Sequence, residues 1–566
     1  MRAAAFPRQN GSGTPIVTDQ PTGSWLLALG TWFHAMGYGS GAEIRLLQRY
    51  LEAGEERLAQ ELEGFFILVI GDARTQQTLV LTDIGGSCHA FLRSWEKIVA
   101  LSGSSLLLAG LGEAPLDPVG CQEYLNVGTI FEDRTIYRHV RKLGPATIYK
   151  FAGGALQSER RYWTFGQIAP DSLKDWEAVE ALWESLTGAA RKIAKTHPRP
   201  VLDVTGGYDS RALAAAFEGA GVSFTATVAG PPDNPDVYIS KGVSQMMGWP
   251  HVHLGREEQI RFAQVKRALP FTDGEFDLIE YAGILRVQQA LSEGFDISIN
   301  GSVGGLARAL WWEVLLPRIG ARQKLDGQKV ARLRYVTGRY DASLFPPESR
   351  LDLVAHVGGV ADRLTAGLTE LPNTLQLDHT SFAMRIQRWQ GRIASGTNRL
   401  WPCLSPFLLR SVLEPVLQTD AHLRQRSMLV RRMLVDYQPQ LANYPLAQGY
   451  PAAPLTWKNL LRFWPAVGHN ARRVQSKLRR LLGGAAATAV VPGQLPVHLQ
   501  LWGEEEVREM LHPSGMKLDN FLNHKALETF LERSRQRDFP FSTQWSRLLS
   551  LEYTLRALDQ LRQKTS

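Results

Sequence analysis

The 566-residue chain has only three cysteines, Cys88, Cys121 and Cys403, odd in number and far apart. None forms a CxxC pair, which argues against a disulfide framework, a zinc ribbon or an iron–sulfur cluster. Long apolar runs are also missing. The longest strictly apolar stretch, Phe65 to Ile70, has six residues, against the roughly 20 that a membrane-spanning helix needs. The opening MRAAAFPRQNGSGTP breaks into Pro, Asn and Gly before an apolar signal stretch forms. The expectation is a cytoplasmic protein with no membrane partner. Charge of one sign is scarce too: 63 Lys+Arg face 55 Asp+Glu, a net +8. Over this length that reads as solubility charge rather than the footprint of a polyanionic partner. No internal repeat is evident, and GGAAATAVVPGQ (Gly483 to Gln494) comes nearest to a mobile loop. What is present is a globular composition, with 44% hydrophobic residues and 15 Trp spread along the chain. Wholesale disorder is excluded, and the length argues for more than one domain.

The first 168 residues read as β-rich. GFFILVIGD, QTLVLTD, KIVALSG and ATIYKFAGG are short apolar or alternating runs closed by Gly or Asp. One helix is evident in EIRLLQRYLEAGEERLAQEL, where Ile44, Leu47, Tyr50 and Leu51 recur at helical spacing. Pro170, Asp171 and Ser172 read as a linker and helix cap, which sets the domains at 1–168 and 169–566. From Asp175 the period changes. WEAVEALWESLTGAARKIAK is an amphipathic helix, and PRPVLDV, SFTATVAG, HVHL and FDISIN are strands separated by helical stretches. Such alternation implies a doubly wound parallel sheet over 169–308. Residues 309–566 read as mostly helical.

The sharpest motif is VLDVTGGYDSR, Val201 to Arg211. A strand ends at Val204, two glycines permit close backbone approach, and a helix starts near Ser210. Such a corner aims unpaired amides and a positive dipole end at one point, which suits an anion. Thr205 and Ser210 add hydroxyls, and the Asp209 carboxylate could hold Mg²⁺ against a phosphate. A corner with glycines for geometry alone is the bland alternative. Its place at the end of the first strand of a doubly wound sheet favours a nucleotide phosphate site.

This string resembles the Ser-Gly-Gly-x-Asp-Ser loop of the ATP pyrophosphatase (PP-loop) superfamily, with Thr205 in the place of the first Ser. Upstream, LEGFF (Leu62 to Phe66), LVLTDIGGSCHAF (Leu79 to Phe91), LSGS (Leu101 to Ser104), YLNVGTIFEDRTIYRHVRKLGPAT (Tyr124 to Thr147) and RRYW (Arg160 to Trp163) follow a familiar order. They are similar to a class II glutamine amidotransferase domain as fused to asparagine synthetases. The C-terminal QWSRLLSLEYTLRAL resembles homologues from polysaccharide or natural-product clusters. The resemblance implies an N-terminal Ntn-hydrolase-like αββα sandwich and a PP-loop synthetase domain, an α/β and α+β protein. It implies amide formation through an acyl-adenylate with release of AMP and pyrophosphate. ATP and Mg²⁺ would be the cofactors, a small-molecule or peptide carboxylate and an amine or ammonia the substrates. Thr205, Gly206, Gly207, Tyr208, Asp209 and Ser210 would cradle pyrophosphate. Val204, Val228, Asn300 and Gly301 would border the adenosine, and Asp209 would be the metal ligand.

Three departures qualify this expectation. Family glutaminases use an N-terminal cysteine as nucleophile, whereas residue 2 is Arg2 and the first cysteine is Cys88. Cys88 and His89, read as strand neighbours pointing to opposite faces, are a structural pair. Glutaminase activity is not expected, as in β-lactam synthetases and lasso-peptide cyclases. The family's Gly-x-Gly-x-Asp-Glu loop is replaced by Gly304, Gly305 and Leu306, with no carboxylate before Glu313. Its Lys is replaced by Ala447 and Gln448, with Lys458 or Arg385, Arg388, Arg392 and Arg399 as candidate substitutes. No catalytic residue is therefore assigned. A nucleotide-binding pseudoenzyme or partner protein is the rival reading, and a tRNA-modifying enzyme a further one. Two other features read blandly. ARRVQSKLRR (Ala471 to Arg480) is taken as a solvated helix, with nucleic acid disfavoured as a partner. His251 and His253 share a strand face without a third ligand and are read as packing. A homodimer is left open.

Overall fold

The computed structural model describes residues 3–4, 8, 16–35, 41–95, 98–255, 259–464 and 495–565. The cationic run 471–480, the Gly483–Gln494 tract and Arg2 lie outside the described residues.

The N-terminal part is built on antiparallel sheets. A six-stranded sheet has the order β1–β2–β3–β4–β8–β9: β1 (Ile16–Thr18), β2 (Trp25–His34), β3 (Leu62–Asp72), β4 (Gln77–Thr82), β8 (Thr147–Ala152) and β9 (Ala155–Arg161). A second sheet of three strands runs β6–β5–β7: β5 (Phe91–Ser94), β6 (Val99–Ser102) and β7 (Arg141–Lys142). The expected helix spans Ala42–Glu61 and packs through Leu46, Leu47, Tyr50 and Leu58, changing direction at Gly54, whose φ is 78°. Here the sheet faces are covered by apolar side chains such as Phe66, Leu68, Leu79 and Leu81.

From residue 175 the chain turns to helix–strand alternation, as the change of period predicts. The helix Asp175–Thr196 precedes a parallel five-stranded sheet of order β12–β11–β10–β13–β14. Its strands are β10 (Pro200–Asp203), β11 (Thr225–Ala229), β12 (His251–Leu254), β13 (Ile297–Ile299) and β14 (Cys403–Leu404). β14, two residues inside a region expected to be helical, is a correction. It pairs Ser298 with Cys403 and Ile299 with Leu404. The order reverses between β10 and β13, and ligands of open α/β sheets bind beyond the strand ends at such a switch point.

Among the described residues from 309 onward the regular structure is helical apart from β14 and short bridges, with many one-turn pieces among longer helices. One apolar cluster runs across the expected boundary at 168/169, joining Phe165 and Ile168 to Leu182 and Leu186. Among the described residues no helix is long and apolar enough to cross a membrane.

Candidate functional site

β10 ends at Asp203 and the following helix, Tyr208–Gly219, begins two residues before the Ser210 expected from sequence. Between them the loop is knitted by its own hydroxyls. The Thr205 amide donates to Ser210 Oγ at 2.9 Å, and the Gly207 amide to Thr205 Oγ1 at 3.3 Å. The Gly206 amide donates to Asp236 Oδ1 at 2.9 Å, and its carbonyl accepts from the Ala447 amide at 3.0 Å. A Cβ on Gly206 would lie 2.5 Å from the Ala447 Cβ. Gly206 is required because the 444–450 segment packs directly on it. Arg211 secures that segment: its buried guanidinium donates to the carbonyls of Leu441, Tyr444 and Pro445.

The loop after β13 closes in from the other side. A Cβ on Gly301 would come within 2.8 Å of the Ser210 amide nitrogen, and one on Gly304 within 2.8 Å of the Asp209 Cβ. The two loops therefore meet at the first turn of the 208–219 helix. They open onto a cavity of about 1590 Å³ lined by Asp203, Thr205, Gly207, Tyr208, Asp209 and Ser210, with Asn300 and Gly301 opposite. Most of the residues expected from the motif are thus brought together. Val204, Gly206 and Val228 are buried behind the lining, and Ala229, the next residue along β11, opens to the cavity in the place of Val228.

The electrostatics were only partly readable from sequence. Asp209 is held by Arg308, whose Nη2 lies 2.7 Å from Oδ2 while Nε reaches Oδ1. The guanidinium also lies over the Tyr208 ring, 5.5 Å from its centroid. Burial lowers the basicity of Arg308, but the Asp209 charge and hydrogen bond outweigh it and leave the guanidinium above its ordinary range. Arg431 covers Tyr208 as well, 5.1 Å from the centroid, and lines the cavity with Arg426 and His422. Asp203 is exposed to the same space, and the protein packed around it, with Asp236 nearby, pushes its carboxyl up to about 6.

With the amides of Thr205, Gly206 and Gly207 bonded within the site, the donors left for a polyphosphate are the first-turn amides of the 208–219 helix, the Thr205 and Ser210 hydroxyls and two guanidiniums. Asp209, the carboxylate expected to hold Mg²⁺, has each oxygen bonded to Arg308, so a metal there would share that carboxylate with the guanidinium. Among the described residues no three His, Cys, Asp or Glu side chains converge where a metal ion could sit.

Sequence reasoning missed Arg308, Arg431 and Glu280, which line the cavity. The cations it offered as lysine substitutes lie elsewhere. Arg388 donates to the carbonyls of Ile130 and Arg134, Arg392 and Arg399 grip Asp273, Arg385 lies over Trp311 and Trp389, and Lys458 lies over Trp457. Cys88 and His89 are not on a strand, contrary to expectation. They sit in the irregular segment between β4 and β5, where Asp83 accepts from the amides of Gly85, Ser87 and Cys88. Burial and Asp83 raise the Cys88 thiol far above its ordinary range, and burial holds His89 neutral with Nε2 on the Gln387 carbonyl. His251 and His253 pack as read: one meets Ser240 Oγ at 2.9 Å, the other the Gly230 carbonyl at 2.8 Å.

Residues 34–163 match the glutamine amidotransferase domain. This stretch contains most of the six-stranded sheet and all of the three-stranded one. The match likens this part of the chain to a glutamine amidotransferase domain, and it ends ahead of the parallel sheet that carries the cavity. No curated protein matches the chain.

Proposed function

We propose that this chain is an ATP-dependent amide-forming ligase of asparagine-synthetase type, with an Ntn-like N-terminal domain that does not hydrolyse glutamine. The observation that carries the reading is the placement of the 204–210 loop. It lines a cavity beyond the strand ends, at the β10/β13 switch point, with Arg308 at its side. ATP supplies the activation: a carboxylate oxygen attacks its α-phosphorus, pyrophosphate leaves, and an amine then displaces AMP. The chain's residues hold charge in place for this. The first-turn amides of the 208–219 helix and the Thr205 and Ser210 hydroxyls would face the phosphates. Arg308 and Arg431 would neutralise phosphate charge. Asp209 would hold Mg²⁺, which would supply further charge neutralisation.

Loss of glutaminase function follows from thiol chemistry. Cys88, Cys121 and Cys403 are all buried, and burial raises each thiol, Cys403 to about 12. A thiol that stays protonated at neutral pH is a poor nucleophile.

Pyrophosphate release from ATP, with a panel of carboxylates and amines, tests the reading. Asp209→Ala removes the carboxylate that fixes Arg308 and would hold Mg²⁺, and it is expected to abolish release. Normal turnover by that variant would overturn the assignment of the loop. A second reading, a nucleotide-binding partner protein, is favoured by Arg308 occupying Asp209 and by Ala447 and Gln448 standing where a lysine is expected. It predicts ATP binding without pyrophosphate release under every substrate combination.

A further inference from the structure

Beside the cavity, Leu455, Trp457, Leu460, Leu461 and Trp464 are all exposed, a cluster of large apolar side chains close together in the sequence. They belong to a short 3₁₀ helix, Trp457–Phe463, and its flanks. Local bonds fix where it starts: the Thr456 amide donates to Asn459 Oδ1 at 2.8 Å, and Asn459 Nδ2 to the Pro454 carbonyl at 2.9 Å. Its other side chains tie the helix to the molecule. Arg462 donates to Asn443 Oδ1 at 3.1 Å and to the Asn443 carbonyl at 2.8 Å. Phe463 stacks on Tyr450 with ring centroids 5.5 Å apart, and Arg431 lies over both rings as well as over Tyr208. Leu455 and Phe463 also line the cavity, so the helix stands on its rim.

Trp457 is 84% exposed, Leu460 59%, Leu461 88% and Trp464 76%. At such exposure neighbours cover little of each side chain, so these four protrude rather than line a groove. Single apolar residues scattered on a surface need no explanation, but a group of this size marks an interaction site. The charge around it has one sign. Lys458 and Arg462 are exposed on the same helix, and the sequence from Tyr437 to Gly503 holds seven Lys or Arg and no Asp or Glu. A protein partner would need a recess matched to the protruding rings. The interface of an anionic bilayer takes up Trp and Leu without such a match, and its surface potential attracts the cations. The expectation of no membrane partner rests on the absence of a spanning segment, which an interfacial contact does not need.

We infer that the 455–464 segment docks this chain onto a membrane surface rich in anionic phospholipid, with Trp457, Leu460, Leu461 and Trp464 in the headgroup region and Lys458 beside the lipid phosphates. The contact is peripheral and reversible. Four side chains supply a modest apolar area, and the cations supply a longer-range attraction that salt screens. Docking brings the rim of the cavity, at Leu455 and Phe463, to the lipid surface. It does not depend on the ligase reading above.

The probe is a vesicle of phosphatidylcholine and phosphatidylglycerol in equal parts, sedimented with the full chain, with pure phosphatidylcholine vesicles as the control. Binding to the anionic vesicles is expected to exceed binding to the control at least ten-fold and to weaken as salt is raised. Leu461→Glu, and separately Trp457→Ala combined with Trp464→Ala, should each lower binding ten-fold or more. All three positions are exposed, so both variants should keep the wild-type thermal midpoint. Should one fail to fold, the other carries the test. No sedimentation with anionic vesicles, equal binding to both kinds of vesicle, or full binding by either folded variant overturns the inference. Self-association of the wild-type chain without vesicles, abolished by the same variants, also overturns it and assigns the patch to a second copy of the chain.

Discussion

Asp203 shows how far one side chain can depart from its ordinary behaviour at the end of a central strand. Its carboxyl is pushed up to about 6 by the protein packed around it and by Asp236, although it is exposed to the cavity. A folded-state pKa above the unfolded value of about 3.9 means that the folded chain pays for ionising this group. Stability from this residue is greatest below about pH 4 and falls as pH rises through 6. Asp203→Asn is therefore expected to raise the thermal midpoint at pH 7.5 by about 1–2 °C and to leave it unchanged at pH 4. Midpoints measured by circular dichroism at the two pH values check this. At this scale the corner was readable: a few consecutive residues marked a strand–loop–helix turn, and that turn lines the cavity. Arg308 was not, because its partner Asp209 lies 99 residues away and nothing local marks the pairing. The available signal was an arginine in the loop after β13, in a stretch with no carboxylate before Glu313.

Elements were readable where periodicity is strong and unreadable where it is short. Each strand of the parallel sheet except β14 stands in the sequence as an apolar run between helical stretches. β14 has two residues, Cys403 and Leu404, too few for any alternation, and only pairing with β13 defines it. The 208–219 helix starts early for a tertiary reason: Gly206 is pinned against Ala447 while Arg211 holds the carbonyls that carry Ala447 past it. Gly206→Ala is expected to displace the 444–450 segment and to weaken ATP binding at least ten-fold. Gly207→Ala, whose added Cβ would meet only Thr205 Oγ1 at 3.4 Å, should cost much less. Parallel ATP titrations of the two variants separate an effect of this packing from a general effect of losing a glycine.

Across the whole molecule, the amidotransferase-like part and the rest are joined by buried charge as well as apolar surface. Asp273 accepts from Arg392 at 2.5 Å, Arg399 at 2.8 Å and Ser104 Oγ at 2.6 Å, and Arg399 also reaches the Gly103 carbonyl. Although burial opposes ionisation, the two guanidiniums and the hydrogen bonds outweigh it and hold this carboxyl down at about 2. A depressed folded-state pKa gives stability that is present above about pH 4 and lost as pH falls toward 2. Asp273→Asn suits the local backbone, since φ is 53° and Asn tolerates that region. It should nevertheless cost about 3–5 kcal/mol at pH 7 by leaving two buried guanidiniums unpaired. Urea midpoints at pH 7 and pH 2.5 test this, and the gap between variant and wild type should narrow at the lower value.

The helix Ser542–Thr565 returns to the opposite end of the chain. Trp545, Leu548, Leu549, Leu551 and Leu555 share an apolar cluster with Leu106, Leu108, Cys121, Tyr124 and Leu125, and Gln544 donates to Asn126 at 2.8 Å. During synthesis, the segment around 105–127 leaves the ribosome long before the surface it needs has been translated. The buried surface of the 105–127 segment is therefore completed only once residues 542–565 have been translated.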